Sequence, residues 1–133
     1  MQDFTKLRVW AESHALALGV IHALSPARTR RIPGLRAQAI RAAMSVPANI
    51  AEGCGKKSPH ELARYADIAC ASLSELQAHL CLAHDAGVLG SDRYAELTRA
   101  AERSRRMLVM LARTVRVRAG LPTQAERADT EDG

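Results

Sequence analysis

The sequence predicts an all-α protein, an antiparallel up-down four-helix bundle, on three observations. Apolar residues recur at three- and four-residue spacing through most of the chain, with no strand-like alternation. Prolines and glycines cluster at a few points and separate four long segments by short loops, which sets successive helices antiparallel. Aromatic residues are only 3% of a chain that is 47% hydrophobic, so the core must be built from Leu, Ile, Val, Met and many alanines. Such small side chains let helices approach closely. At 133 residues the chain has the length of one domain and can bury a core without disulfides or metal.

The first helix is predicted from about Thr5 to Leu24. Leu7, Trp10, Ala11, His14, Leu18 and Ile21 share one face and are expected to enter the core, with His14 as a hydrogen-bonded core histidine. The stretch SPARTRRIPG then breaks the helix with two prolines, a glycine and the arginines Arg28, Arg30 and Arg31. A second helix follows from about Leu35 to Glu52, packed through Ala39, Ala43, Val46 and Ile50, with Gly53 as its C′ residue. Pro47 lacks an N–H and crowds the carbonyl of Ala43, so a kink is expected there.

SPHE opens the third helix as a capping box, with Ser58 as N-cap, Pro59 at N1 and Glu61 at N3. This helix runs to about Ala86 and stops at Gly87. Leu62, Ala66, Ala69, Leu73, Leu76, Leu80 and Ala83 form its core stripe, while Ile68, Ala71, Ser72, Glu75, His79 and Leu82 form a second, mixed stripe suited to an interface. The fourth helix runs from Ser91 to about Arg118. It sets Leu97, Leu108, Leu111 and Val115 against a row of Arg99, Arg103, Arg106 and Arg113, which spans about 21 Å by helical rise. Residues 1–118 are thus the bundle, and residues 119–133, polar and proline-broken, are expected to be a disordered acidic tail.

Charge narrows the partners. The chain carries a net +5, but the tail from Ala119 holds four acidic residues against Arg127, which leaves residues 1–118 at +8. A basic body favours an acidic partner such as RNA or DNA. The alternative is that the arginines are simply good helix formers on a solvated face. Three cysteines, an odd number without framework spacing, point with the mixed-charge N-terminus to a reducing cytoplasm, with no signal peptide and no membrane span. Cys81 and His84 have a helical i, i+3 spacing but no further ligands, EGCGKKS lacks P-loop spacing, and no nucleophile is paired with a base. No metal, cofactor or catalytic residue is therefore expected.

SVPANIAEGCGKKSPHE, residues 45–61, places a proline, an asparagine and a glutamate in the last turns of an alanine-rich helix. On a helical wheel Gln38, Arg41, Ser45, Asn49 and Glu52 fall within about 80° of one another, apart from the packing face. Glu52 opposes the helix dipole at its C-terminal end, which calls for a partner. The stripe is read as a structural polar network reaching the third helix, with Glu75 set to pair with Arg41. The other reading is a ligand or catalytic cleft.

SVPANIAEG, residues 45–53, also resembles the Ser-Ile-Pro-x-Asn-Ile-Ala-Glu-Gly block of the four-helix-bundle proteins encoded in intervening sequences of bacterial 23S rRNA genes. The likeness continues back through Gly34, Leu35, Gln38, Arg41, Ala42 and Ala43. It continues forward to ACASLSEL, residues 69–76, similar to the family's Ala-Arg-Gly-Ser-Leu-x-Glu-Leu. The opening DFTKLRVWAESHALAL resembles the family's Phe-x-x-Leu-x-Val-Trp start, so the likeness spans roughly residues 3–118. Ile40 stands where the family usually has an arginine, Cys70 and Ala71 replace Arg-Gly, and Arg30 and Arg31 lie where an acidic residue is common. The resemblance implies a homopentameric ring and no enzymatic activity. By analogy with a distantly similar accessory protein of retroelement reverse transcriptases, it also implies contact with nucleic acid. The expected function is a non-enzymatic oligomer touching RNA or DNA through Arg99, Arg103, Arg106 and Arg113, with Arg28, Arg30 and Arg31 as a second cluster. A protein-binding scaffold is the alternative, and an enzyme using the Gln38–Glu52 stripe comes third.

Overall fold

A computed structural model describes residues 3–132. All the regular structure in that span is helical, and the described residues contain no strand. A 3-10 turn, Phe4–Lys6, leads into α1, Arg8–Ala23. A single turn, α2, Pro26–Thr29, precedes α3, Leu35–Cys54; then come α4, Pro59–Asp85, and α5, Ser91–Ala119. The last helix is α6, Gln124–Glu131. The described residues thus hold two short helices beyond the four long ones that the periodicity predicts.

The four long helices pack in a cycle, each antiparallel to its two neighbours. Ser45 meets Ser72 and Gly53 meets Tyr65, so α3 and α4 run oppositely. Arg116 meets Asp67 and Arg105 meets Gln77, which does the same for α4 and α5. Arg93 donates to the carbonyl of Gly19 at 3.2 Å, and Arg103 lies 3.8 Å from Glu12, joining α5 to α1. Between α1 and α3, Arg36 Nε donates to the carbonyl of Leu24 at 2.7 Å. Val20, Leu24, Val46, Ile50, Leu73 and Leu108 fill the centre, and Ala39, Ala43, Ala69 and Ala101 provide the flat contacts between helices. Each fully buried leucine contributes about 1.5–3 kcal/mol, so the leucines rather than the alanines carry most of the hydrophobic stabilisation.

Four features differ from the sequence-based expectation. The face of α1 that enters the core is Val9, Ser13, Leu16, Ala17, Val20 and Ala23, not the Leu7–Ile21 face. Leu18 is 45% exposed, and His14 is exposed with its ring stacked on Trp10, so it is not a core histidine. Both faces of the helix are apolar. The smaller side chains go inward because α5 comes so close that a Cβ on Gly19 would stand 3.0 Å from Leu97.

Gly53 is likewise not a C′ residue. It is buried inside α3, where a Cβ would lie 2.9 Å from that of Tyr65, so this glycine permits the close crossing of α3 and α4. The helix ends one residue later, with Gly55 as its C-cap. At the start of α4 only half of the capping box forms. Ser58 accepts from the Glu61 amide at 3.5 Å, while the Glu61 carboxylate turns to Arg64 at 3.6 Å. Finally, the tail expected to lack structure holds α6, whose capping box is closed reciprocally by Thr123 and Glu126. This helix packs against none of the others.

Candidate functional site

The polar stripe on α3 reaches the surface as three separate groups. At its N-terminal end Arg41 accepts no burial: its Nη2 donates to Gln38 at 2.7 Å and lies 4.0 Å from Glu75, which in turn faces His79 at 3.4 Å. In the middle, the Ser45 and Ser72 hydroxyls bond at 2.6 Å, and the Asn49 amide donates to the Ser45 carbonyl at 2.7 Å and to its hydroxyl at 3.0 Å. At the C-terminal end Glu52 pairs with Lys56 at 3.6 Å, both side chains well exposed. The sequence reading joined Glu52 to the rest of the stripe; the geometry gives it a partner one turn ahead on its own chain. Among the described members of the stripe, the Ser45–Ser72 bond ties α3 to α4 away from solvent, and Asn49 braces Ser45 from within α3.

Pro47 lies on the neighbouring face, buried, with α3 continuous through it. Around it, Phe4, Trp10, Leu18 and Met44 line an apolar groove between α1 and α3. Met44 is 54% exposed, and the ring of Trp10 is held between Phe4 at 5.1 Å and His14 at 4.7 Å, centroid to centroid. Trp10 and Leu18 here are residues that the first helix was expected to turn inward.

The arginine row on α5 faces solvent. Arg99, Arg103, Arg106 and Arg113 are all exposed, and of them Arg103 has a carboxylate neighbour, Glu12. Met110 and Val117, 57% and 62% exposed, interrupt and extend the same stripe, so it is mixed rather than purely cationic. Arg28, Arg30 and Arg31 are also exposed, on and after the short α2. Their turn is anchored by Thr29, which is buried and donates to the Ser25 carbonyl at 3.0 Å.

Sequence reasoning missed a second set of α5 residues, Arg105 and Arg116, on the flank that meets α4. Eleven residues apart, they are three helical turns apart and share a face. Arg116 is buried and binds Asp67 with both terminal nitrogens, one of them at 3.3 Å from Oδ1. Its Nε has no acceptor. Arg105 is half-buried and donates only to neutral groups of α4: the Cys70 carbonyl at 3.5 Å, Ser74 Oγ at 3.2 Å and Gln77 Oε1. Burial pushes the Cys70 thiol up from its ordinary range, Arg105 pulls it down and Asp67 raises it again. The eleven-residue spacing was the available signal, but in an arginine-rich helix nothing in the chain alone separates a buried arginine from a solvated one. Among the described residues no group of His, Cys, Asp and Glu is arranged to hold a metal ion, and no helix is long and apolar enough to cross a membrane.

The family model for the 23S rRNA-intervening sequence protein matches residues 5–110, which is most of the chain. The chain belongs to that family. No curated protein matches it. The 23S rRNA-intervening sequence protein match takes in α1 to α4 and the larger part of α5, and with them the polar stripe and Arg99, Arg103 and Arg106. Arg113, Arg116 and the acidic tail lie beyond it.

Proposed function

We propose that this member of the family is a non-enzymatic, oligomeric four-helix-bundle protein that associates with RNA or DNA through its basic surface. The observation that carries the reading is the exposed arginine row of α5. Among the described residues, Arg99, Arg106 and Arg113 have no carboxylate within ion-pair distance, and they stand on a body with a net charge of +8. Cations left without internal partners are free to displace counterions from a phosphate backbone, each contact adding about 0.9 to the salt slope on duplex DNA. With one Trp, two Tyr and one Phe in the chain, and Trp10 seated in the groove, base stacking contributes little and binding is backbone-directed.

The cyclic antiparallel packing supports the bundle, with α2 and α6 as short additions. The apolar groove between α1 and α3 supports self-association, since an exposed patch containing Trp10, Leu18 and Met44 is stabilised by being covered. In a ring, the homopentamer of the resemblance, each arginine row is repeated around the axis and weak phosphate contacts become multivalent. Free cysteines fit a reducing cytoplasm. The same groove is the specific observation that favours the second reading, a protein-binding scaffold without nucleic-acid contact.

The two readings separate by salt. Anisotropy titrations with RNA and duplex DNA should show binding at low ionic strength that weakens steeply as salt rises. A variant with Arg99, Arg103, Arg106 and Arg113 changed to glutamine should lose most of that dependence. Absence of binding by the wild type at low salt removes the nucleic-acid reading in favour of the scaffold. Light scattering checks the ring: a monomer at micromolar concentration would sink it.

A further inference from the structure

We propose that the cleft between α4 and α5, flanked by Arg105 and Arg113 with Arg116 at its base, is a binding site for an oligophosphate. The cleft encloses about 430 Å³, with Cys70, Val109 and Ala112 between the arginines and Thr123 at one edge. Three guanidinium groups line it against one carboxylate, and that carboxylate, Asp67, is already engaged by Arg116. Arg105 is fixed in place by three neutral acceptors, so it is pre-organised while its charge stays unmatched. Arg113 has no carboxylate partner among the described residues and is exposed at the rim. The other acid near the cleft, Glu126, is turned back onto Thr123, whose amide and hydroxyl donate to it at 2.6 and 2.9 Å.

Arg116 supplies an independent sign. It is only 3% exposed, yet its Nε donates to nothing, which leaves the deepest cationic donor in the cleft without an acceptor. That buried Nε is out of reach of solvent, so an anionic oxygen meets it only when side chains at the base of the cleft shift.

The spacing selects the ligand class. Arg105 and Arg113 are eight residues apart, about 12 Å of helical rise, so one small anion does not bridge them while a chain of two or three phosphates does. Arginine suits such a ligand because its planar fork meets phosphate oxygens in pairs. No aromatic side chain lines the cleft, so recognition is of the phosphates and not of a base. The site shares only Arg113 with the arginine row: Arg105 and Arg116 lie outside it, and a free oligophosphate would bind whether or not the chain binds nucleic acid.

The test is calorimetric titration of the full chain with inorganic tripolyphosphate at low ionic strength. Wild type should bind at one site per chain, and Arg105→Gln and Arg113→Gln should each weaken binding about tenfold or more, with thermal melting confirming that both variants fold. A variant with Arg99, Arg103 and Arg106 changed to glutamine should bind within about twofold of wild type, because none of the three lines the cleft. No binding by wild type overturns the proposal, as does an equal loss in the row variant, which would mean a diffuse field. Alkylation localises the site without any substitution: tripolyphosphate should slow modification of Cys70 and leave the exposed Cys81 unchanged. Equal slowing of both thiols overturns the assignment. Competition then separates the sources. Displacement by a nucleoside triphosphate alone means a free nucleotide, displacement by 5′-triphosphate RNA but not by its 5′-hydroxyl counterpart means a strand end, and displacement by neither overturns the oligophosphate class.

Discussion

Asp67 and Arg116 are joined across 49 residues of chain, and the pair dominates the electrostatics inside the fold. Arg116 is almost wholly buried, so removing its partner leaves a cation with no counter-charge; breaking buried pairs typically costs about 3–5 kcal/mol. Asp67 itself keeps some contact with solvent, which places Asp67→Asn at the lower end, about 3 kcal/mol, measured by urea denaturation. Glu52→Ala should behave differently. Its pair with Lys56 is solvated on both sides, so the loss should be about 1 kcal/mol or less in the same assay. Gly53→Ala pits two effects against each other. Alanine favours a helix over glycine by about 0.5–1 kcal/mol, but a methyl 2.9 Å from the Tyr65 Cβ forces α3 and α4 apart, and overpacking costs about 1–3 kcal/mol. The clash should win, lowering the melting temperature, and adding Tyr65→Gly, which removes the clashing Cβ, should cost less than the sum of the two single changes.

Helix boundaries were legible in the chain because their causes are local. Ser58 and Pro59 start α4, Gly87 and Gly120 stop α4 and α5 in left-handed conformation, and the prolines and Gly34 part α1 from α3. Which face turns inward was harder to read where a helix has two apolar faces. On α1 the larger residues, Trp10 and Leu18, form the stronger hydrophobic signal, but the decision rests on how near α5 lies, a distance that local periodicity does not carry. The candidate site divides in the same way. The α3 stripe was visible as a helical-wheel cluster, whereas the Asp67–Arg116 pair needed knowledge of which helices are neighbours. Helix α6 depends on its cap alone, since nothing packs on it and isolated helices of its length are marginal. Hydrogen bonds from the Thr123 amide and hydroxyl hold the Glu126 carboxyl below its ordinary range. A folded-state value below the unfolded one stabilises the helix above the unfolded value, and that stabilisation is lost as pH falls through the folded value. Acidifying the protein through the carboxylate range should therefore unravel α6 first, seen as NMR shifts at Thr123 and Glu126 while the resonances of α3 and α4 stay in place.

At the scale of the whole molecule, the arginine row and the apolar groove lie on different helices, although Met110 and Val117 are exposed within the row. The arginines of α5 occupy one side of the helix cycle, and the groove between α1 and α3 belongs to the other pair of elements. A partner that covers the groove therefore leaves the basic row free, and assembly and anion binding can coexist on one chain. The acidic tail begins where α5 ends, beside the cleft edge at Thr123, so truncation after Gly120 raises the net charge of the remaining chain from +5 to +8. Trp10 has a further, optical consequence. As the single tryptophan, half-buried and stacked on His14 in the groove, it makes intrinsic emission a reporter of that surface. In the assembly proposed above, covering the groove should shift emission to the blue and brighten it as the protein is concentrated. Quenching by acrylamide should fall in step, with no change in helical circular dichroism. A melting curve followed by fluorescence would then register dissociation ahead of unfolding, and the far-ultraviolet signal would register unfolding alone.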